Sequence, residues 1–281
     1  PHPSLSRRDV WPRGSGGRLR AGSYTIEGGK SLREIVELLE RGESARREIT
    51  FPEGKSIEEM ALLLAAVGLP AAGFKAAAGD TSEIRELDPH ATDLEGYLFP
   101  DAYDVGQGEA AARALVRRML QRFKSVIQPQ LPQVERSGLT LRQVVTLASL
   151  VELETAQTGE RARIAAVFLN RLQKGMLLQT DPTVIYALKR SGPYDGNIRK
   201  KDLDIDSPYN TYRHPGLPPG PIAAPGRGAI RAVLEPAPVK DLYFVSRNDG
   251  THEFSETLRQ HEQAVDRYQR YRQRGSPRPR G

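Results

Sequence analysis

The residue with the clearest chemical prospects is a carboxylate in an apolar run. Val144-Val145-Thr146-Leu147-Ala148-Ser149-Leu150-Val151-Glu152-Leu153 is apolar at nearly every position, and Glu152 interrupts it. In a helix over 140–155, Glu152 falls four residues after Ala148 and eight after Val144, on the stripe that faces inward, whereas Glu154 points to another side. Desolvation disfavours the charged form of a carboxyl, so the spacing predicts an upward shift for Glu152, and a carboxyl that keeps its proton is a proton donor. The same pattern also fits a structural ion pair, with Arg161 or Arg163 on the next helix as partner. Downstream lie Gln179, Thr180 and Asp181, then Tyr209-Asn210-Thr211-Tyr212. Their amides, hydroxyls and rings suit the hydroxyls and apolar faces of a carbohydrate. An acid beside such groups points to glycosidic cleavage.

Other chemistries find less support. The chain has no cysteine, which excludes thiolate catalysis and Cys-ligated metals. His2, His90, His214, His252 and His261 form no ligand spacing, so neither a metal nor any other cofactor is expected. There is no Gly-x-Ser-x-Gly elbow and no phosphate loop. The net charge of +6 resides at the ends: residues 1–20 carry five Arg and one Asp, residues 266–281 six Arg and one Asp, which leaves −3 for the body. A slightly acidic body makes nucleic acid an unexpected partner, and the basic ends read as flexible arms that an anionic lipid surface or acidic polymer would attract. No stretch reaches the ~18 apolar residues of a membrane span. Pro1 in place of Met is what a fragment without its upstream anchor or export signal would show.

The elements that must position these residues are legible in outline. Gly29-Lys30-Ser31-Leu32-Arg33-Glu34 and Gly54-Lys55-Ser56-Ile57-Glu58-Glu59 form an approximate repeat, each with Ser followed three positions on by Glu. That is the capping-box pattern, so a short helix is predicted after each. With strands over 23–26 and 47–51, residues 20–70 read as a β-α-β-α unit suited to binding or docking. Residues 70–108, with Glu95-Gly96-Tyr97-Leu98-Phe99-Pro100-Asp101, read as loop and short strand. Helices are predicted over 109–127, 140–155 and 159–174, then a proline-rich loop over 207–226 whose tyrosines argue for order, a strand over 241–245 and a final helix over 256–274.

These segments together resemble the endolytic murein transglycosylase family (MltG/YceG-like). The resemblance rests on Glu95 to Asp101, Ala148-Ser149-Leu150-Val151-Glu152-Leu153-Glu154-Thr155, Leu178-Gln179-Thr180-Asp181-Pro182-Thr183-Val184-Ile185-Tyr186, Ser207-Pro208-Tyr209-Asn210-Thr211-Tyr212 and Gly216-Leu217-Pro218-Pro219-Gly220-Pro221-Ile222, in the family's order. It extends over about residues 20–272, between the basic flexible segments at 1–19 and 273–281, and implies an α+β fold: a LysM-like subdomain at 20–70 and a catalytic domain at 71–272 around a buried glutamate-bearing helix. It implies a lytic transglycosylase that cleaves the MurNAc–GlcNAc bond of peptidoglycan glycan strands, leaves 1,6-anhydro-MurNAc ends and terminates nascent strands.

Glu152 matches the catalytic position. Gln179, Asp181, Tyr209, Asn210 and Tyr212 are then expected to position substrate, with Glu154 orienting the site or pairing with an arginine; Glu95, Tyr97 and Asp101 line the groove or, preferably, fix the joint between subdomains. The implied location is the extracytoplasmic face of the cytoplasmic membrane, beside peptidoglycan synthases, with a single-pass anchor ahead of Pro1. A muramidase-type hydrolase using Glu152 with Asp181 or Glu154, and a non-catalytic cell-wall binding protein, are the alternatives.

Overall fold

Four helices begin where a hydroxyl side chain, of Ser31, Ser56, Thr140 or Thr257, accepts from a free amide of the first turn. The computed structural model of the protein describes residues 24, 26, 28–41, 47–106 and 109–270, so the basic segments expected at 1–19 and 273–281 lie outside the described residues. Helix α1 spans Leu32–Arg41 behind Ser31, whose amide donates to Glu34. Strand β1 spans Arg47–Thr50, and α2 spans Ile57–Ala66 with a full capping box between Ser56 and Glu59. Helix α3 (Ala71–Ala78), strand β2 (Ala102–Val105) and the long α4 (Glu109–Ile127) follow.

Next come α5 (Leu131–Ser137), α6 (Leu141–Glu154), capped by Thr140 and Gln143, and α7 (Arg161–Gln173). Helix α8 is Asp181–Ser191, α9 is Arg227–Leu234, and α10 is Leu258–Val265, preceded by the hairpin β3 (Tyr243–Ser246) and β4 (His252–Ser255). The fold is mixed α+β, mostly helical with small sheets.

Helix α6 is the centre of the core. Leu141, Val144, Val145, Leu147, Ala148, Leu150 and Val151 are all buried, as is expected of a helix apolar on nearly every face. Helix α9 packs across both α6 and α7, while α5 and α8 also meet α6. One continuous core joins these residues to Phe51, Met60 and Leu64 near β1 and α2.

Of the early β-α-β-α reading, the described residues contain both helices and the second strand. Tyr24 and Ile26, the described part of its first strand, lie in no strand. Strand β1 instead pairs antiparallel with β2, Arg47 opposite Val105 and Thr50 opposite Ala102. Backbone groups at a strand edge need partners, and β2 supplies them from more than fifty residues away. Glu95 and Asp101 fasten the same joint: Glu95 Oε1 accepts the Ile57 amide at 3.0 Å, and the Asp101 carbonyl accepts the Phe51 amide at 3.0 Å. Tyr97 is fully buried and donates to Asp88 at 2.6 Å, which also takes Arg142 at 2.8 Å. Among the described residues, no helix is long and apolar enough to cross a membrane.

Candidate active site

Three segments converge on the last turn of α6. The loop after β1 brings Glu53, the loop ahead of α9 brings Gly226, and the first residue of α7 is Arg161. The Gly54 amide donates to the Ala224 carbonyl at 2.9 Å and the Ala224 amide to the Lys55 carbonyl at 2.9 Å, so the first two loops are stitched together. Ser149 on α6 accepts the Ile222 amide at 3.1 Å and anchors the second loop to the helix. Farther back, Arg142 donates to the Pro219 carbonyl at 2.9 Å. The proline-rich segment is therefore ordered, and Pro221 to Gly226 are buried.

Within this frame the Glu152 side chain is only 5% exposed. Its Oε1 accepts from Arg161 Nη2 at 2.6 Å and its Oε2 from the Gly226 amide at 2.9 Å. The same Arg161 Nη2 lies 3.4 Å from Glu53 Oε2, so the two carboxylate oxygens are within about 6 Å of each other. Glu53 is the outward member of the pair, with a side chain 45% exposed. A Cβ on Gly226 would fall 1.7 Å from Glu53 Oε1, so the Glu53 carboxylate rests directly on that glycine. Among the described residues, Arg161 Nε is buried without a hydrogen-bond partner.

Burial pushes the Glu152 carboxyl above the ordinary range; the Gly226 amide opposes this, the neighbouring Glu53 charge reinforces it and Arg161 opposes it. Glu152 thus sits in the arginine pair that the sequence admitted, with Arg161 as partner. Arg163 turns instead to Asp241 at 2.5 Å, with its guanidinium over the Phe254 ring.

The other expected residues, Tyr209 excepted, form a second group beside this one. Glu154, two residues past Glu152, accepts a short hydrogen bond from the Thr180 hydroxyl, and burial lifts its carboxyl to about 7. Of the two roles expected for Glu154, the arginine pair is not formed among the described residues. Gln179 is exposed, with a φ of 50°, an unusual conformation for a side-chain-bearing residue. Its amide donates to the Thr211 carbonyl at 3.1 Å. The exposed Asp181 accepts from the Tyr212 hydroxyl at 2.5 Å, and burial pushes that phenol upward.

Asn210 is fully buried and spends its amide on the carbonyls of Leu203 and Ile205 at 2.8 and 2.9 Å, while its oxygen accepts the Tyr212 amide at 3.0 Å. It holds the loop and presents no side-chain surface. Tyr209 faces elsewhere: its ring lies 4.9 Å from that of Tyr186, with Arg190 over both. No hydrogen bond links Glu152 to Gln179 or Tyr209 among the described residues; the groups that touch it are Glu53, Arg161 and Gly226.

Sequence reading singled out neither Glu53 nor Gly226. Pro52-Glu53-Gly54 looks like an ordinary turn ahead of a capped helix, and only the β1–β2 pairing swings it over α6. A cavity of about 620 Å³ between α2, α3 and α8 has Glu95, Lys75, Tyr186 and Arg190 in its wall, but none of Glu53, Glu152, Arg161 or Gly226 lines it.

Comparison with known proteins bears on this arrangement. The profile of the YceG-like family matches residues 6–267. A protein of Bacillus subtilis (strain 168) named endolytic murein transglycosylase is 33% identical over 266 residues, which cover 89% of this chain and 73% of that protein. One of the same name from Streptococcus pneumoniae serotype 2 is 31% identical over 260 residues, covering 81% of this chain and 46% of its own longer sequence. The crystal structure of a yceG-like protein from Listeria monocytogenes superposes with a TM-score of 0.69 at 30% identity, over 88% of this chain and 84% of that one.

Proposed function

The chain belongs to the YceG-like family, and on that premise we propose that it is a lytic transglycosylase that cleaves peptidoglycan glycan strands with Glu152 as its acid and base. The observation that carries this reading is the Glu152 environment: a carboxyl 5% exposed, at the C-terminal end of α6, whose burial favours the protonated form. The C-terminal end of a helix carries partial negative charge, which also favours the neutral acid. Relatives named endolytic murein transglycosylase supply the substrate class.

The reaction then runs in two proton transfers through one group. Glu152 gives its proton to the oxygen between MurNAc and GlcNAc as the bond from MurNAc C1 to that oxygen breaks. The MurNAc 6-hydroxyl attacks C1, its proton returns to the Glu152 carboxylate, and a 1,6-anhydro ring closes without consuming water. In the interval Arg161 and the Gly226 amide hold the ionised carboxylate at 2.6 and 2.9 Å. Hydrogen bonds to the charged form are the stronger kind, so the site supports both states of the acid.

Gln179, Asp181 and Tyr212 are proposed to contact the glycan from the neighbouring patch, with Glu154 and Asn210 shaping it from behind and Tyr209 farther along the loop. Residues 20–70 are proposed as the LysM-like unit and 71–272 as the catalytic unit. The basic segment at 1–19 is proposed to lie near an anionic membrane surface, on the extracytoplasmic side and close to peptidoglycan synthases.

A second reading has one observation in its favour. Glu53 lies close enough to Glu152 to act as the other carboxylate of a muramidase-type hydrolase, which in the retaining form needs ~5 to 5.5 Å between the two groups. Mass spectrometry of the products from purified glycan strands separates the readings. Ends lacking one water are expected; reducing ends alone would replace the lyase by the hydrolase.

A further inference from the structure

Glu53 belongs to no motif that marked the site, yet it is the exposed half of a carboxylate pair built on one guanidinium. We infer that Glu53 is a positioning residue for the reaction proposed above: its carboxylate, set beside Glu152 across Arg161, makes ionisation of Glu152 costly, so that Glu152 retains its proton until a glycosidic oxygen approaches. This rests on the reading of Glu152 as the acid.

The geometry carries the inference. Arg161 Nη2 reaches Glu152 Oε1 at 2.6 Å and Glu53 Oε2 at 3.4 Å. Two ionised carboxylates against one guanidinium leave a net negative charge in a place where the Glu152 side chain is 5% exposed. A second carboxylate that close raises the cost of ionising Glu152. The Glu53 side chain is 45% exposed and that of Glu152 5%, so the cost of desolvation falls on the inner carboxyl. Gly226 is part of the device: with no side chain it lets the Glu53 carboxylate settle against the backbone that donates to Glu152.

The groups that face Glu152 are few. Glu53 comes from the β1–α2 loop, Arg161 from α7, and the Gly226 amide from the start of α9. From α8, Asp181 faces Glu154 rather than Glu152. Removing the Glu53 charge therefore takes away an acidic neighbour that opposes ionisation and leaves the arginine and the amide, both of which favour ionised Glu152.

The test is Glu53→Gln, read in two ways. With purified glycan strands, products keep their anhydro ends while the alkaline limb of the kcat/KM profile moves to lower pH, and the loss at neutral pH stays below the about 100-fold that removal of a general acid brings. In parallel, 13C NMR of carboxyl-labelled glutamate, with the Glu152 signal assigned from Glu152→Gln, shows Glu152 titrating at lower pH in the variant than in the parent. Gly226→Ala, which evicts the Glu53 carboxylate while leaving both acids in the chain, shifts the same signal in the same direction. An unchanged Glu152 titration in both variants overturns the inference. So does a Glu53→Gln protein that is inactive at every pH with Glu152 titrating as in the parent, since Glu53 would then act on the substrate itself. If the parent makes no anhydro ends, the lyase reading fails, while the NMR titration still decides whether the pair is coupled.

Discussion

Gly96 tests whether the site loop is held from behind. Its φ of +80° is a left-handed conformation, and a Cβ there would lie 2.4 Å from Pro221 Cβ, 2.7 Å from Pro221 Cγ and 2.9 Å from Val145 Cγ1. Pro221 belongs to the buried stretch that ends at Gly226, and Val145 belongs to α6, so the methyl of Gly96→Ala would push the loop away from the helix that carries Glu152. Two costs combine: about 1 kcal/mol for alanine in a left-handed conformation and about 2 kcal/mol for overpacking against ring and side-chain atoms. At about 2 to 4 °C per kcal/mol for a chain approaching this size, the melting temperature should fall by roughly 6–12 °C.

Gly68→Ala is the control. Gly68 has a similar φ of +74° but, among the described residues, nothing within 4 Å of the place its new methyl would occupy, so the backbone cost of about 1 kcal/mol is the one that applies. Urea unfolding of the two variants and the parent measures both. A Gly96→Ala protein no less stable than Gly68→Ala would refute the close packing of Gly96 on Pro221. Because the loop supplies the amide that holds Glu152, Gly96→Ala should also lose glycan cleavage at temperatures where it remains folded, and Gly68→Ala should not.

Two further expectations concern buried charge. Burial lifts Glu95 to about 8, against hydrogen bonds from the Ile57 amide and the Tyr186 hydroxyl. Between the ordinary carboxyl range and pH 8 the folded state binds a proton that the unfolded chain has lost, so this group's contribution is full below its unfolded pKa and is lost as pH rises to about 8. Glu95→Gln should therefore melt higher than the parent at pH 8 and about equally at pH 5; an equal difference at both would show that Glu95 is ionised in the fold. Arg161→Gln removes the partner of Glu152 and leaves a buried carboxylate, a change that costs about 3–5 kcal/mol when the charge stays in place. Protonating Glu152 relieves that charge, so the loss of stability should be small at pH 5 and large at pH 8. A loss independent of pH would contradict the upward shift of Glu152.

Local patterns were legible where the physics is local. Ser56 with Glu59 and Thr140 with Gln143 signal helix starts because the reciprocal bonds span three residues, and both capping boxes are present. The unbroken apolar run identified α6 as enclosed, since a helix without a polar face must be covered on all sides. The partner of β1 was not legible: Ala102–Val105 lies far along the chain, and nothing in Arg47–Thr50 names it. The same gap hid Glu53, which reaches Glu152 only through that pairing and the Ala224 bonds. Strand β4 was missed because His252 and Glu253 give it little apolar alternation, although the His252 amide and ring both bind Glu160 ahead of α7. Asn210 was read for its amide chemistry, and that chemistry is used, but on the loop's own carbonyls.

The most direct measurement is cleavage of purified peptidoglycan strands by Glu152→Gln beside the parent, with thermal unfolding of both to establish that the variant is folded. Gln keeps the shape and can still accept from the Gly226 amide, but it has no proton to give and none to take back. Release of anhydro-terminated fragments should fall by at least about 100-fold. Cleavage at the parent rate by a folded variant would contradict the assignment of Glu152 as the acid.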